Sequence, residues 1–358
     1  MTTVYMTLDS VYIHRNHGGL LKRQSEKNDG LIRRYVVVIR TDEPFLVLIV
    51  KEYPWITVSG FGAHIKSTPK TLIIHKKNSI EEYPITDVKN LLIVGGHTIH
   101  SSTVLNLIRH GALISFFEAD GTPAGTILPS GDRNISELCE LQRMIPHQRF
   151  ATALAKNSAQ ARILLMEQEE QLKNTHLFYE GELEFLLKSR DEFAFLIKID
   201  EIRRLHRLVS DMYYEIMARS LPPDLGFRRR TPRPYVDPVN AMLSFGYALL
   251  LGNCTIASFG ARLDPDAGFL HDGKNGLIYD LADPFRPGMV DSVIFRRVNE
   301  GLNSEDYELT PNRCMLSDDL IQEITRRLHL SINTEKINNL VSDLADAIRK
   351  GSEFTVQY

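Results

Sequence analysis

The sequence predicts an α+β protein, with a β-rich N-terminal part followed by a mostly helical C-terminal domain. Two observations carry this. Short β-branched and aromatic runs, separated by Gly, Pro, Asn and Asp, fill the stretch from about residue 33 to residue 121. After the loop LPSGDRN (128–134) the texture changes, and from Ser136 apolar residues recur at three- and four-residue steps.

Taken in order, RRYVVVIR and FLVLIV near residues 33–50 read as strands, followed by WITVSG (55–60), TLIIHK (71–76), NLLIVGG (90–96) and ALISFFEADG (112–121). A short helix interrupts at SSTVLNLIRHG (101–111), where Ser101 or Ser102 can cap and Gly111 can stop it. The break at 128–136 is the expected domain boundary. Beyond it, LCELQRMI, FATALAKNSAQARILLMEQEEQL, residues 199–219 and AMLSFGYALLLGNCTIASFGARL read as helices. Two more helices are expected at 317–330 and 335–350, and residues 351–358 read as a frayed tail.

Length and composition bound the rest. A chain of 358 residues suggests roughly two or three domains. Hydrophobic content of 43% and charged content of 24% describe a chain able to bury real cores. The net charge of −3 excludes a protein coated in positive charge, so any nucleic-acid surface must be local. Cys139, Cys254 and Cys314 are far apart and form no zinc spacing, which is simplest for reduced thiols inside the cell. No segment reaches the ~18 uninterrupted apolar residues of a membrane span, and MTTVYMTLDS lacks a signal-peptide pattern. A cytoplasmic protein without membrane attachment is expected.

The chemistry concentrates in HDGKNGLIYDLADPFRP, where His271 precedes Asp280, Asp283 and Arg286. Imidazole plus carboxylate oxygen is ligand chemistry for Mn²⁺ or Mg²⁺ more than for structural zinc. A nearby guanidinium suits a phosphate. A plainer reading stands beside it: Pro284 as the first residue of a helix makes Asp283 an ordinary N-cap. Upstream, LPPDLGFRRRTPRPYVDP gathers Arg228, Arg229, Arg230 and Arg233 beside Phe227 and Tyr235. Arginine at that density suits phosphate contacts and the aromatics suit base stacking, whereas the plain reading is a solvated or salt-bridged loop. Ile202, Leu205, Val209, Met212, Tyr213 and Ile216 form an apolar stripe with His206 inside it, so His206 should point inward. A buried neutral histidine and a metal ligand are both open at that position.

These residues belong to a longer pattern. VSGFGAHI, LLIVGGHTI with SST, and GALISFFEADGTPAG, then KNSAQARILL, LPPDLGFRRRTPRPYVDPVNAMLSFGYALL, LDPDAGFLH and YDLADPFRPGMVD resemble, in order, the CRISPR-associated integrase family. That family is the large subunit of the machinery that inserts new spacers into CRISPR arrays. The resemblance covers most of the chain after about residue 55. It implies a dimer-building β-domain over 54–130, a helical metal and DNA domain over 136–358, and an added strand-rich extension over 1–53. It further implies a metal-dependent DNA endonuclease or integrase using Mn²⁺ or Mg²⁺. The implied partners are DNA (prespacer and CRISPR repeat or leader), a second copy of the chain and the small second CRISPR-associated protein. By motif, His271 and Asp283 are the implied metal ligands, Asp280 the supporting acid, and Arg286, Asn240 and Tyr213 the surrounding positions.

The chain departs from the family at its first ligand. The family pattern has a glutamate seven residues before the tyrosine matching Tyr213, and His206 stands there. Asp200, Glu201 and Asp211 lie five or six positions away and, at ~100° per residue, point well off the direction of His206. A two-histidine, one-carboxylate set suits Mn²⁺, Fe²⁺ or Zn²⁺ better than Mg²⁺. Two readings of activity follow: a working metal enzyme with altered preference, or a degenerate DNA-binding or assembly subunit.

Overall fold

The protein is described by a computed structural model covering residues 3–7, 10–14, 34–39, 46–51, 55–77, 80–129, 137–174, 176–231, 233–310 and 313–356. The expected boundary loop falls largely outside these residues, at 130–136, as does Pro232 of the basic loop. The chain divides into two compact units: residues 1–114 with 126–130, and residues 115–125 with 131–358.

The first unit opens with strands β1 (Thr3–Thr7), β2 (Ser10–His14), β3 (Arg34–Ile39) and β4 (Leu46–Lys51), in the antiparallel order β2-β1-β3-β4. Next come β5 (Ile56–Ser59), β6 (His64–Ser67), β7 (Thr71–His75), β8 (Ile80–Pro84), β9 (Asn90–Val94) and β10 (Thr98–Ile99). Strands β10-β6-β7-β8 form one sheet, and β5 pairs in parallel with β9. The β-branched runs dictate this: Leu72 and Ile74 alternate inward along β7, and β9 is buried throughout. Helix α1 (Ser101–Arg109) follows, with His100 rather than a serine at the N-cap position and no side-chain cap. Gly111, at φ +77°, turns the chain after it. The chain passes between units within β11 (Leu113–Phe117) and β12 (Pro123–Ile127).

The second unit is mostly helical. It contains α2 (Glu137–Met144), α3 (His147–Lys173), α4 (Glu182–Glu192), α5 (Ile199–Ala218), α6 (Pro238–Gly260), α7 (Gly276–Ala282) and α8 (Ser292–Asn299). A hairpin of β13 (Tyr307–Thr310) and β14 (Arg313–Leu316), which the helical periodicity does not announce, precedes α9 (Asp318–Ser331) and α10 (Thr334–Lys350). Between α7 and α8 the chain makes a 3₁₀ turn, Asp283–Phe285, then a π-helical turn, Arg286–Asp291.

Helix α6 forms the core of this unit. It is long and apolar enough to cross a membrane by length and composition, yet half of that apolar stretch is buried inside the unit. Asp237 caps it, accepting from the Asn240 backbone N–H at 2.7 Å, and Pro238 pre-sets its first turn. The tail is not frayed through its length. Phe354 and Val356 are buried, and Phe354 stacks on Phe150 with ring centroids 5.8 Å apart, because two apolar residues find a ready face on α3.

Candidate nucleic-acid site around Asp283

Several segments of the helical unit meet at one carboxylate. Helix α5 presents Ile202, Val209, Tyr213, Ile216 and Met217 as a buried stripe, and Asp200 and Glu201 in its first turn suit the helix dipole. His206 lies in that stripe and is 7% exposed. Helix α3 contributes Ser158 and Arg162, one turn apart and both buried. Asp283 follows from the 3₁₀ turn and Arg286 from the π-helical turn.

Asp283 is saturated with donors. Its Oδ2 lies 2.7 Å from His206 Nε2 and accepts from the Ser158 hydroxyl. Arg162 Nη2 donates to Oδ1 and Oδ2 at 3.1 and 3.2 Å, and Arg286 Nη1 donates to Oδ1 at 2.8 Å. Arg162 Nη1 also donates to the Ser158 hydroxyl. The N-cap reading of Asp283 does not apply, since it sits inside the turn with side-chain partners.

Electrostatics follow from this packing. Burial alone pushes the Asp283 carboxyl up, but Arg162, then His206 and Arg286, hold it well below the usual range. Burial likewise works against the Arg162 guanidinium, and the facing Asp283 carboxylate outweighs it, so Arg162 stays charged. His206 is pushed down by burial, with Asp283 only partly opposing, which favours the neutral ring.

His271 belongs to a second carboxylate. Asp280, fully buried, accepts the backbone N–H groups of Phe269, Leu270 and His271 at 2.6, 3.0 and 2.9 Å, and lies 2.7 Å from His271 Nδ1. This leaves His271 Nε2 with no hydrogen bond among the described residues. Two glycines let the loop close: a Cβ on Gly276 would sit 2.5 Å from the His271 carbonyl oxygen, and one on Gly268 would collide with it too. Arg203 of α5 ties the loop down, donating to the Leu270 carbonyl at 2.7 Å and to Asp272 at 2.5 Å. The His206 and His271 rings meet edge to face, centroids 5.8 Å apart. The sequence-predicted residues are thus gathered as two pairs, His206 with Asp283 and His271 with Asp280, joined through the two imidazoles.

Behind them stands a tyrosine cluster. Tyr213 Oη donates to Asp291 Oδ2 at 2.7 Å and Tyr247 Oη donates to Oδ1 at 2.6 Å. Arg230 and Arg286 lie over the Tyr247 ring, 5.2 and 5.0 Å from its centroid. Arg230 also donates to Asn240 Oδ1 at 2.6 Å and to Ser244 Oγ at 2.8 Å, so it serves the loop's fold. Buried Asn240 returns a bond to the Arg229 carbonyl at 3.0 Å. Arg228, Arg229 and Arg233 are exposed. Phe227, read from sequence as a base-stacking neighbour, is buried against Phe295 and is spent on the core.

Ser158, Arg162, Arg203, Tyr247 and Asp291 escaped the sequence reading. For Arg162 a signal existed: it is an arginine on the same helical face as Ala155, Ser158, Ala159 and Met166, where water-exposed residues should not fall.

The donor set as arranged does not fit Mn²⁺ or Mg²⁺. Two guanidinium groups already face the single Asp283 carboxylate, so a divalent cation would enter excess positive charge. His206 Nε2 is turned to Asp283, and both Asp280 oxygens are spent on the 269–271 segment. Among the described residues no three His, Cys, Asp or Glu side chains gather in a group able to hold a metal ion.

The strand-rich and helical units together match a known family. The family described as CRISPR associated protein Cas1 matches residues 56–329. "Putative CRISPR-associated endonuclease Cas1 2" of Methanospirillum hungatei is 39% identical over 300 residues, covering 84% of this chain and 99% of its own. "CRISPR-associated endonuclease Cas1 3" of Thermodesulfovibrio yellowstonii is 25% identical, covering 78% and 89%. Among solved structures, a casposase bound to its integration product aligns with TM-score 0.73 at 19% identity, covering 85% of this chain and 99% of that one. A Cas1 protein from Thermotoga maritima aligns with TM-score 0.63 at 18% identity, covering 84% and 97%. A partial Cas6-RT-Cas1–Cas2 complex aligns at 0.66 and 19%, covering 85% and 98%. The chain belongs to the Cas1 family.

Proposed function

We propose that this Cas1 protein serves CRISPR spacer acquisition chiefly by binding and positioning DNA, with its phosphodiester chemistry curtailed at His206. One observation carries the reading: His206 Nε2 sits 2.7 Å from Asp283, so the residue in the family glutamate's place is consumed by the acid it should accompany. Exposed Arg228, Arg229 and Arg233 supply phosphate contacts. Arg286, 17% exposed at its side chain, links the buried pair to the basic loop through the Tyr247 ring, over which Arg230 also lies. The partners are prespacer and repeat DNA, a second copy of the chain, and the small Cas2 protein, with which neighbouring Cas1 folds are assembled. The β-domain over 54–130 is the part expected to build the dimer.

The test is a DNA-binding titration run beside a Mn²⁺-supplemented cleavage and strand-transfer assay. Salt-dependent binding with background turnover is expected. Robust turnover by the unaltered chain defeats this reading.

A second reading, a metal-dependent endonuclease or integrase with altered metal preference, rests on His271. Its Nδ1 is anchored to Asp280, the supporting arrangement that metal-bound histidines use, with Nε2 turned free. Turnover that disappears in His271→Ala selects it.

A further inference from the structure

We propose that Arg162 is the resident cation of this site, standing in for a divalent ion and closing it to one. The inference rests on the reading above, in which the Asp283 site does not run metal chemistry, and it names the group responsible. Substituting His206 for glutamate would by itself only weaken a metal site. Here a second, independent feature acts on the same carboxylate from a different helix.

Arg162 is 1% exposed and reaches Asp283 from α3, spanning both carboxylate oxygens with one nitrogen while the other holds Ser158. Ser158 in turn donates to Asp283, so the three side chains form a closed ring of bonds. The Tyr213 ring lies beneath the guanidinium, 5.8 Å from its centroid, and its hydroxyl is fixed by Asp291. A buried guanidinium with these partners has no water to retreat into. Its Nε is buried without a hydrogen-bond partner, a cost accepted to keep the head group on Asp283. The ion is therefore monovalent, covalently attached and not exchangeable. Opening the site to a metal requires two changes, a carboxylate at 206 and removal of the Arg162 charge, because Arg286, 17% exposed at its side chain, can turn toward solvent while Arg162, 1% exposed, cannot.

The experiment titrates full-length protein with MnCl₂ and follows the aqueous Mn²⁺ signal by electron paramagnetic resonance, alongside the melting temperature. The unaltered chain and His206→Glu should both leave the Mn²⁺ signal unbound at about 100 µM. The double variant His206→Glu, Arg162→Gln should bind at least about ten-fold more tightly than either. Asp283→Asn in the otherwise unaltered chain strands Arg162 and should lower the melting temperature by about 10 °C. His271-dependent Mn²⁺ binding by the unaltered chain overturns the proposal. So does His206→Glu binding as tightly as the double variant, or a folded double variant that binds no Mn²⁺. Should the double variant not fold, the Asp283→Asn melt decides: an unchanged or raised melting temperature overturns the proposal. Failure to bind DNA strikes the proposed function and leaves this inference standing.

Discussion

Tyr247 of α6 and Tyr213 of α5 are joined through Asp291, whose two carboxylate oxygens each accept one phenol hydroxyl. Burial raises this acid to about 6 from an ordinary value of 3.8, against the opposing pull of the two hydroxyls. A folded-state value above the unfolded one gives stability that is full below the unfolded pKa and lost as pH rises through about 6. Measured by urea unfolding, the wild type should therefore lose about 2 kcal/mol relative to Asp291→Asn between pH 4 and pH 7. Above that the difference should be level. A difference constant across the range contradicts the assignment.

Asp280 and His271 should part company on substitution. Asp280→Ala leaves three backbone N–H groups of the 269–271 segment without their acceptor and should cost about 3 kcal/mol or more. His271→Ala removes a ring that is 33% exposed and should cost under about 1 kcal/mol. Equal losses in chemical denaturation would count against Asp280 as the organiser of the loop.

The arginines of the basic loop divide in the same way. Neutralising Arg228, Arg229 or Arg233 should weaken DNA binding evenly across sequences and reduce the salt slope by about 1 for each phosphate left without its arginine. Arg230→Ala should instead lower the melting temperature, because its guanidinium holds Asn240 and Ser244. A full set of four equivalent effects on the salt slope would refute this division.

Arg203 bridges α5 to the histidine loop. Arg203→Ala should speed amide exchange across residues 270–273 by about ten-fold, from loss of the charge-assisted bond to the Leu270 carbonyl, the exposed pair with Asp272 adding little. Unchanged exchange there would remove Arg203 from any positioning role.

Local patterning made β3, β4, β5, β7, β9, β11 and the long helices readable, because apolar runs and three-to-four spacing need no tertiary knowledge, whereas β1, β2, β6, β8, β10 and α4 went unread. The inward direction of His206 was readable for the same reason. What could not be read was which acid each histidine would meet. Asp280 and Asp283 are three apart in sequence, yet one turns to the backbone of the 269–271 segment and the other to α3 and α5. Arg162 takes its meaning from Asp283, 121 residues on, and Asp291 from Tyr213 and Tyr247, 78 and 44 residues back. The β13–β14 hairpin escaped because its strands have only four residues each and bury little.

The π-helical turn at Arg286–Asp291 sets the phase between Arg286, which faces Asp283, and the Asp291 carboxylate that holds the two phenols. Such a turn holds one residue more than a regular helical turn would. Removing a residue there would restore ordinary winding and swing everything downstream by about 100°. Asp291 would then face away from both phenols. The segment should tolerate exchanges of side chain far better than changes of length, so single-codon deletions between 286 and 291 ought to be among the most damaging in the whole gene.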